Sequence, residues 1–292
     1  MDKYLLPEED GLPTRVFGNW TTEKLDYVRR YIHMFEASMK GKPWRQRSYI
    51  DLYAGTGKYR TEENGEVYFG SALLALTTDY PFTHYYFAEG NSNNLDALKQ
   101  RCQSIKQQKV NYYEGDANQK VIDIVKELIS VDKQKKPGKW PSLNLAFLDP
   151  DGLELEWKTI ESLAKVKKMD LIIYYSQFGL NLNLKNCYQT KGETAIDKFF
   201  GDDEWRRTFE KWKLKDSIAG IHRDLIDHYK SKLHALGYVD VVEPETGVEP
   251  LMRTSKTKAP LYRLLFASKN PLGHEFWKKV TRKDVWGQSR LL

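Results

Sequence analysis

Hydrophobic and polar positions along this chain change period several times. From Thr21 to Lys40, TTEKLDYVRRYIHMFEASMK sets Leu25, Val28, Ile32 and Phe35 three and four residues apart, the spacing of one helical face. Thr21 or Thr22 is placed to cap that helix, and Glu23 falls in its first turn. Beyond it, short apolar runs alternate with helical patterns: RSYIDLYAG, SALLAL, HYYFAE, NNLDALKQRC, VNYYEGDA, QKVIDIVKELIS, LNLAFLDP, TIESLAKV and DLIIYYS. The strand-like runs are rich in β-branched and aromatic residues and hardly alternate, as strands covered on both faces do. Repeated strand-then-helix order predicts an α/β fold, doubly wound around a mostly parallel sheet.

After Ser176 the rhythm changes. QFGLNLNLKNCYQTKGETAIDKFFGDDEWRRTFEKWKLK reads as loops and short helices inserted after the fifth strand. DSIAGIHRDLIDHYKSKLHALG follows as a long helix, capped by Asp216 or Ser217 and ended by Gly237. YVDVVEP and YRLLFAS predict two further strands, antiparallel at one sheet edge, and DKQKKPGKWP a solvated loop before the fourth strand. The organisation expected is a helical N-terminal extension over 1–45 and one domain over 46–292, with an insertion at about 177–215.

Composition narrows the class. With 292 residues, 40% hydrophobic and 29% charged, the chain has the make-up of a soluble globular protein and no stretch apolar enough to span a bilayer. The start, MDKYLLPEEDGLPTR, lacks a basic region followed by an apolar one, so no secretory signal is expected. Cys102 and Cys187 make neither a disulfide framework nor a zinc cluster, which points to a reducing cytoplasm. A net charge of +6 and a pI near 8.9 permit a nucleic-acid partner without requiring one.

In an open parallel sheet, ligands bind beyond the carboxyl ends of the strands, so the residues there decide the chemistry. The first strand ends in Asp51, Tyr53, Gly55 and Gly57; the second in Glu89, Gly90 and Asn91; the third in Asp116 and Ala117; the fourth in Asp149. A phosphate-binding P-loop is excluded, because Leu52 holds its first glycine position and Tyr59 follows Lys58. A dinucleotide fingerprint lacks its third glycine, Arg60 standing there, and no helix begins directly afterwards. S-adenosylmethionine makes a different demand, with a cationic sulfonium and ammonium, a ribose diol, an adenine and no phosphate. Glycines let backbone approach it, an acid after the second strand can accept both ribose hydroxyls, and one after the third can accept from the adenine amine. Strand-to-helix turns are also rich in Asp and Gly for capping alone; four acids in register at one edge are harder to explain that way.

Several segments together resemble the three-Cys-motif partner protein family, which has a class I methyltransferase-like fold. They are WTTEKLDYVRRYI from Trp20, YIDLYAGTGKY from Tyr49, GSALLAL from Gly70, YYFAEGN from Tyr85 and FLDPDGLELEWKTIESLA from Phe147, spanning about Trp20 to Phe200. The resemblance implies S-adenosylmethionine held by Asp51, Gly55, Gly57, Glu89 and Asp116, with Ser71 at a helix entry beside the site. It also implies a loop between the glycine turn and that helix, which either folds over the ligand through Tyr59 or Tyr68 or is a plain surface loop. After the fourth strand the family pattern is Asp-Pro-aromatic-Gly, whereas Asp149, Pro150, Asp151 and Gly152 stand here. In amino-methyltransferases acting on bases the aromatic stacks on the base; in this motif that residue is missing.

Asp149 is the first choice to orient an acceptor, followed by Asp151 and Tyr59 and, from the fifth strand end, Tyr175, Ser176 and Gln177. Basic residues interleaved with aromatics occur at Trp205, Arg206, Arg207, Lys211, Trp212, Lys213 and Lys215, at Arg253, Lys256 and Lys258, and in HEFWKKVTRKDVWG. They suit a nucleic-acid backbone with stacked bases, or a solvated helix whose tryptophans pack inward. The histidines show no metal spacing, and no metal is expected. The leading reading is an S-adenosylmethionine-dependent methyltransferase, with nucleic acid as a possible substrate. Its rivals are a catalytically silent partner protein of that fold in a defence or mobile-element system, and a nuclease holding magnesium on Asp149, Asp151 and Glu154.

Overall fold

The computed structural model describes residues 9–105, 109–134, 136–214, 220–239 and 249–283. In chain order the elements are β1 (Arg15–Phe17), α1 (Trp20–Met39), β2 (Arg47–Asp51), β3 (Lys58–Thr61), β4 (Val67–Phe69), α2 (Ser71–Leu76), β5 (His84–Glu89), α3 (Ser92–Gln103), β6 (Lys109–Glu114) and α4 (Ala117–Lys133). They continue with β7 (Leu143–Leu148), α5 (Trp157–Ala164), β8 (Met169–Tyr175), α6 (Gln177–Gln189), α7 (Ala195–Phe200), α8 (Trp205–Lys213), α9 (Ile221–Ala235), β9 (Leu251–Arg253), β10 (Pro260–Ala267) and α10 (Pro271–Thr281).

Seven strands form one sheet in the order β6-β5-β2-β7-β8-β10-β9. The pairs β6/β5, β5/β2, β2/β7 and β7/β8 are parallel, and β10 runs antiparallel to both β8 and β9. This is the class I methyltransferase-like arrangement, a Rossmann-like doubly wound sheet with an antiparallel strand near one edge. The strand order reverses between β2 and β7, where a parallel sheet opens a crevice at its carboxyl edge.

Alternate residues of the strands feed two cores. Ile50, Tyr86, Ala146 and Ile173 face a layer that includes Ile124 of α4, Ile160 of α5 and Leu225 of α9. Tyr49, Tyr85, Phe147 and Ile172 face the other layer, with Leu25 of α1, Leu73 of α2, Leu98 of α3 and Phe276 of α10. Each such side chain contributes roughly 1.5–3 kcal/mol on burial, and covering both faces explains why the strands read as continuous apolar runs. The apolar stripe anticipated for α1 is the one buried, and Tyr31 of that helix bonds Asp170 of β8.

The structure answers four local expectations. The α1 N-cap is Asn19, not Thr21 or Thr22, which lie inside the first turn, where the Thr22 hydroxyl meets the Tyr59 phenol. The stretch between the glycine turn and α2 is not a loop but the β3/β4 hairpin, which joins β1 in a separate three-stranded sheet. Tyr59 and Tyr68 are cross-strand partners there and stack at 5.5 Å, a pairing that stabilises such a hairpin. The strand that pairs with β10 at the edge is Leu251–Arg253; of the expected strand YVDVVEP, Tyr238 and Val239 lie outside any strand, and 240–244, like the proposed caps Asp216 and Ser217, fall outside the described residues. In the basic-aromatic tract the tryptophans pack inward, the second of the two readings open in the sequence, while Arg207 stays exposed. Trp205 is fully buried and donates to Asp197, which also pairs with Arg206. Trp212 and Lys211 both donate to Asp224, and Arg207 pairs with Glu204.

Candidate functional site

The turn after β2 sits at the switch point and is shaped by two glycines. Gly55 and Gly57 have φ of +61° and +85°, a left-handed backbone that glycine adopts without strain. A Cβ at Gly57 would lie 2.8 Å from Leu98 Cδ1 and 2.9 Å from Leu73 Cγ, whereas one at Gly55 would meet nothing within 4 Å. Gly57 is therefore held by packing beneath it, and Gly55 opens on free space. Glu89 braces the turn: Gly55 N–H donates to its Oε2 at 2.9 Å, and Asn91 N–H to its Oε1 at 2.9 Å. The hairpin returns to the same place, since Gly70 N–H donates to the Gly57 carbonyl at 2.7 Å.

Above this turn lies a cavity of about 490 Å³, within the usual range for a small-molecule site. Its lining includes Tyr53, Gly55, Gly57, Tyr59, Ser71, Glu89, Gly90, Asp116, Ala117, Asp149 and Asp151. Of the residues singled out from the sequence for cofactor or catalysis, Asp51 and Asn91 do not line it. Asn91 instead caps α3, its side chain accepting from Asn94 N–H. Asp116 does both, capping α4 through Gln119 N–H while lining the cavity, so capping a helix and facing the cavity are not exclusive here.

Asp51 is fully buried and acts on the cavity through its neighbours. Its Oδ1 accepts from Tyr53 N–H at 3.2 Å, and its Oδ2 has no hydrogen-bond partner. Burial pushes its carboxyl up to about 7; the Ser71 hydroxyl and Tyr53 N–H oppose this, and the charges of Asp149 and Glu89 add to it. A cation brought to the cavity would favour the ionised form.

The opposite end of the cavity is built from the N-terminal segment and the ends of β7 and β8. Lys24 of α1 places Nζ 2.5 Å from Asp149 Oδ2 and lies 5.8 Å from the Tyr174 ring centre and 5.3 Å from that of Tyr262, within cation–π range. Asp149 Oδ1 has no hydrogen-bond partner. Burial raises the Asp149 carboxyl, and Lys24 pulls it back down. Asp151 pairs with Arg15 at 2.5 Å. Tyr59 lines the cavity; burial raises its phenol, and its hydroxyl shares a hydrogen bond with that of Thr22. Of the fifth-strand candidates, Tyr175 bonds His222, Ser176 caps α6 and Gln177 is buried. None of the three lines the cavity, whereas the next residue, Phe178, does.

Lys24, Arg15, Tyr174, Phe178 and Tyr262 were not anticipated. For Lys24 a signal existed: it stands four residues before Val28, on the apolar face of α1, where an isolated lysine needs a partner. Nothing local marks Arg15, whose partner is 136 positions away. Among the described residues no group of three or more His, Cys, Asp and Glu side chains is placed to hold a metal. Asp149 and Asp151 are tied to cations and Glu154 to Gly152 N–H, which leaves the nuclease reading without an assembled ligand set. Among those residues, too, no helix is long and apolar enough to cross a membrane.

No protein-family profile matches the chain, and no curated protein matches it. Among solved structures it is similar to Trm1 from Pyrococcus horikoshii, in complex with S-adenosyl-L-methionine, at 10% identity over 94% of this chain and 61% of that one, TM-score 0.43. It is similar to TYW2 from M. jannaschii in complex with AdoMet, at 11% identity over 86% and 76% of the two chains, TM-score 0.39. It is also similar to magnesium protoporphyrin IX methyltransferase from Synechocystis with bound SAH, at 12% identity over 85% and 86%, TM-score 0.37. Likenesses this distant leave the fold assignment resting on strand order.

Proposed function

We propose that the chain binds S-adenosylmethionine in this cavity and transfers its methyl group to an acceptor, with nucleic acid a class of acceptor that the basic balance permits. The observation that carries the reading is the opening of Glu89, Asp116 and Asp149, from the ends of the parallel strands β5, β6 and β7 that lie on either side of β2, on one cavity beside a glycine turn. A phosphate-bearing cofactor would meet carboxylates there and no lysine-serine phosphate loop. The segments shared with the three-Cys-motif partner family support the same cofactor.

In this reading Glu89 accepts from the ribose hydroxyls. Its two oxygens already take the Gly55 and Asn91 N–H groups and, at 3.4 Å, the Asn94 side-chain amide; of the roughly four acceptor positions of a carboxylate, one remains, on Oε2. Asp116 accepts from the adenine amine, and the open backbone at Gly55 admits the ligand closely. The unpartnered Asp51 oxygen adds negative potential beneath the positive donor. When bound, the cofactor supplies an activated methyl group; the chain's own work is alignment and water exclusion.

Thermal unfolding tests this. S-adenosylmethionine at a hundred times its Kd should stabilise the protein by about 2.7 kcal/mol, raising Tm by several degrees, while NAD and ATP leave it unchanged. The gain should disappear in Asp116→Ala. An unmoved melting curve with S-adenosylmethionine would remove the proposal.

A further inference from the structure

Phe178 stands out on the cavity wall: it is a large apolar side chain, 50% exposed, in the first turn of α6. Across the same cavity, Asp149 carries a buried oxygen with no partner. Tyr174 and Tyr262, whose ring centres lie 4.3 Å apart, complete an aromatic surround with Phe17 and Trp20. The residue after Pro150, where a stacking aromatic would be sought in the sequence, is Asp151, and it is drawn to Arg15. The aromatic face is thus supplied from another element.

Resting on the cofactor reading above, we infer that the acceptor end takes an unpaired nitrogenous base, stacked on Phe178, with a hydrogen of its exocyclic amino group donated to Asp149 Oδ1. A flat face answers an exposed phenyl ring, because stacking tolerates any base. An orphaned carboxylate oxygen requires a donor, and leaving it unmet costs free energy. Lys24 occupies Oδ2, which leaves Oδ1 as the oxygen without a partner, and its charge opposes the rise that burial imposes on the carboxyl. The neighbouring acids Asp151 and Glu154 disfavour an anionic group at the same spot. The base is unpaired because pairing would engage its amino group and bury its face.

The chemistry balances without another reactant. The amino nitrogen's lone pair forms the N–C bond to the methyl group of S-adenosylmethionine as the C–S bond breaks, its electron pair passing to sulfur, which becomes a neutral thioether. The nitrogen then releases one proton, which Asp149 Oδ1 receives and passes to solvent. Lys24 is a positioning residue in this scheme, fixing the carboxylate.

The test uses the full chain with labelled S-adenosylmethionine and four acceptors: mixed-sequence single-stranded DNA, single-stranded RNA, a duplex of the same sequence, and free nucleosides. Products are digested and the methyl position is read by mass spectrometry. Label on an exocyclic nitrogen, with single strands above duplex, is expected; label in the free nucleosides alone keeps the chemistry and assigns the site to a small molecule. Phe178→Ala should raise the acceptor KM about tenfold, with Phe178→Trp restoring it and both binding S-adenosylmethionine as the wild type does. Label on a ribose oxygen or a ring carbon, an unchanged KM in Phe178→Ala, or no labelled acceptor although calorimetry shows the cofactor bound, overturns the inference. Absence of cofactor binding in the wild type sinks the functional reading itself.

Discussion

Arg101 of α3 donates from Nη1 to the backbone carbonyl of Thr56, inside the glycine turn, at 2.7 Å. The same guanidinium reaches the N-terminal segment, pairing with both oxygens of Asp10 and bonding the carbonyls of Leu12 and Pro13. Its charge holds the Asp10 carboxyl well below the usual range. One buried side chain thus ties the segment that brings Arg15 and Lys24 to the cavity to the turn that forms its floor.

Replacing Arg101 by Met should therefore loosen a region rather than one contact. Leaving backbone carbonyls and Asp10 unmet should cost about 3–5 kcal/mol, and Arg101→Lys should recover little, because an ammonium cannot match the planar fork. Hydrogen exchange should accelerate across 10–17 and the glycine turn while α9 stays protected. Uniform acceleration across the chain would show that the tie is not local.

Lys24 and Asp149 are coupled by burial. Lys24→Met should destabilise the fold by about 2–3 kcal/mol, since it strands a carboxylate, and Asp149→Asn in that background should give part of it back. A urea double-mutant cycle measures the coupling; strictly additive losses would contradict the pairing.

Asp51 makes stability depend on pH. Its folded-state value of about 7 lies above the ordinary carboxyl value of 3.8, so the folded state holds the proton more tightly. That contribution is complete at low pH and is lost as pH rises toward about 7. At 1.36 kcal/mol per unit it amounts to about 4 kcal/mol at most. Glu36 and Asp170, raised by burial to about 7 and about 6, act in the same direction and remain in the variant. Urea unfolding from pH 4 to 8 should show Asp51→Asn gaining on the wild type as pH rises; a constant difference would refute this.

The two glycines should separate stability from binding. Gly57→Ala drives a methyl into Leu98 and Leu73 from a left-handed backbone and should cost about 2–4 kcal/mol. Gly55→Ala carries only the backbone strain, about 1 kcal/mol, but directs its methyl into open space beside the cavity, so it should weaken cofactor binding with little change in unfolding. Equal losses of stability in the two variants would contradict the geometry.

Much of the sheet was legible in the chain because strands buried on both faces are written as unbroken apolar runs, and the acids that close them mark the functional edge directly. The hairpin over 58–69 was not, since its polar residues carry no long alternation and its third strand, β1, comes from more than forty positions away. That Asp51 lies buried beneath the cavity and not on its wall was hidden for a related reason: sequence places an acid at a strand end but not on the near or far side of the turn. The sequence could not choose between a nucleic-acid surface and an inward-packed helix for Trp205 and Arg206, because their shared partner, Asp197, is visible only once α7 and α8 fold together. Phe178 was passed over because its exposure, not its identity, distinguishes it.

The central claim is that carboxylates from adjoining strand ends hold a positively charged nucleoside donor. Calorimetric titration of S-adenosylmethionine into the wild type and Glu89→Ala tests it most directly. One site per chain, weakened at least about tenfold by the loss of a charge-assisted contact, is the predicted result. No heat of binding in the wild type, or equal affinity in both proteins, would contradict it.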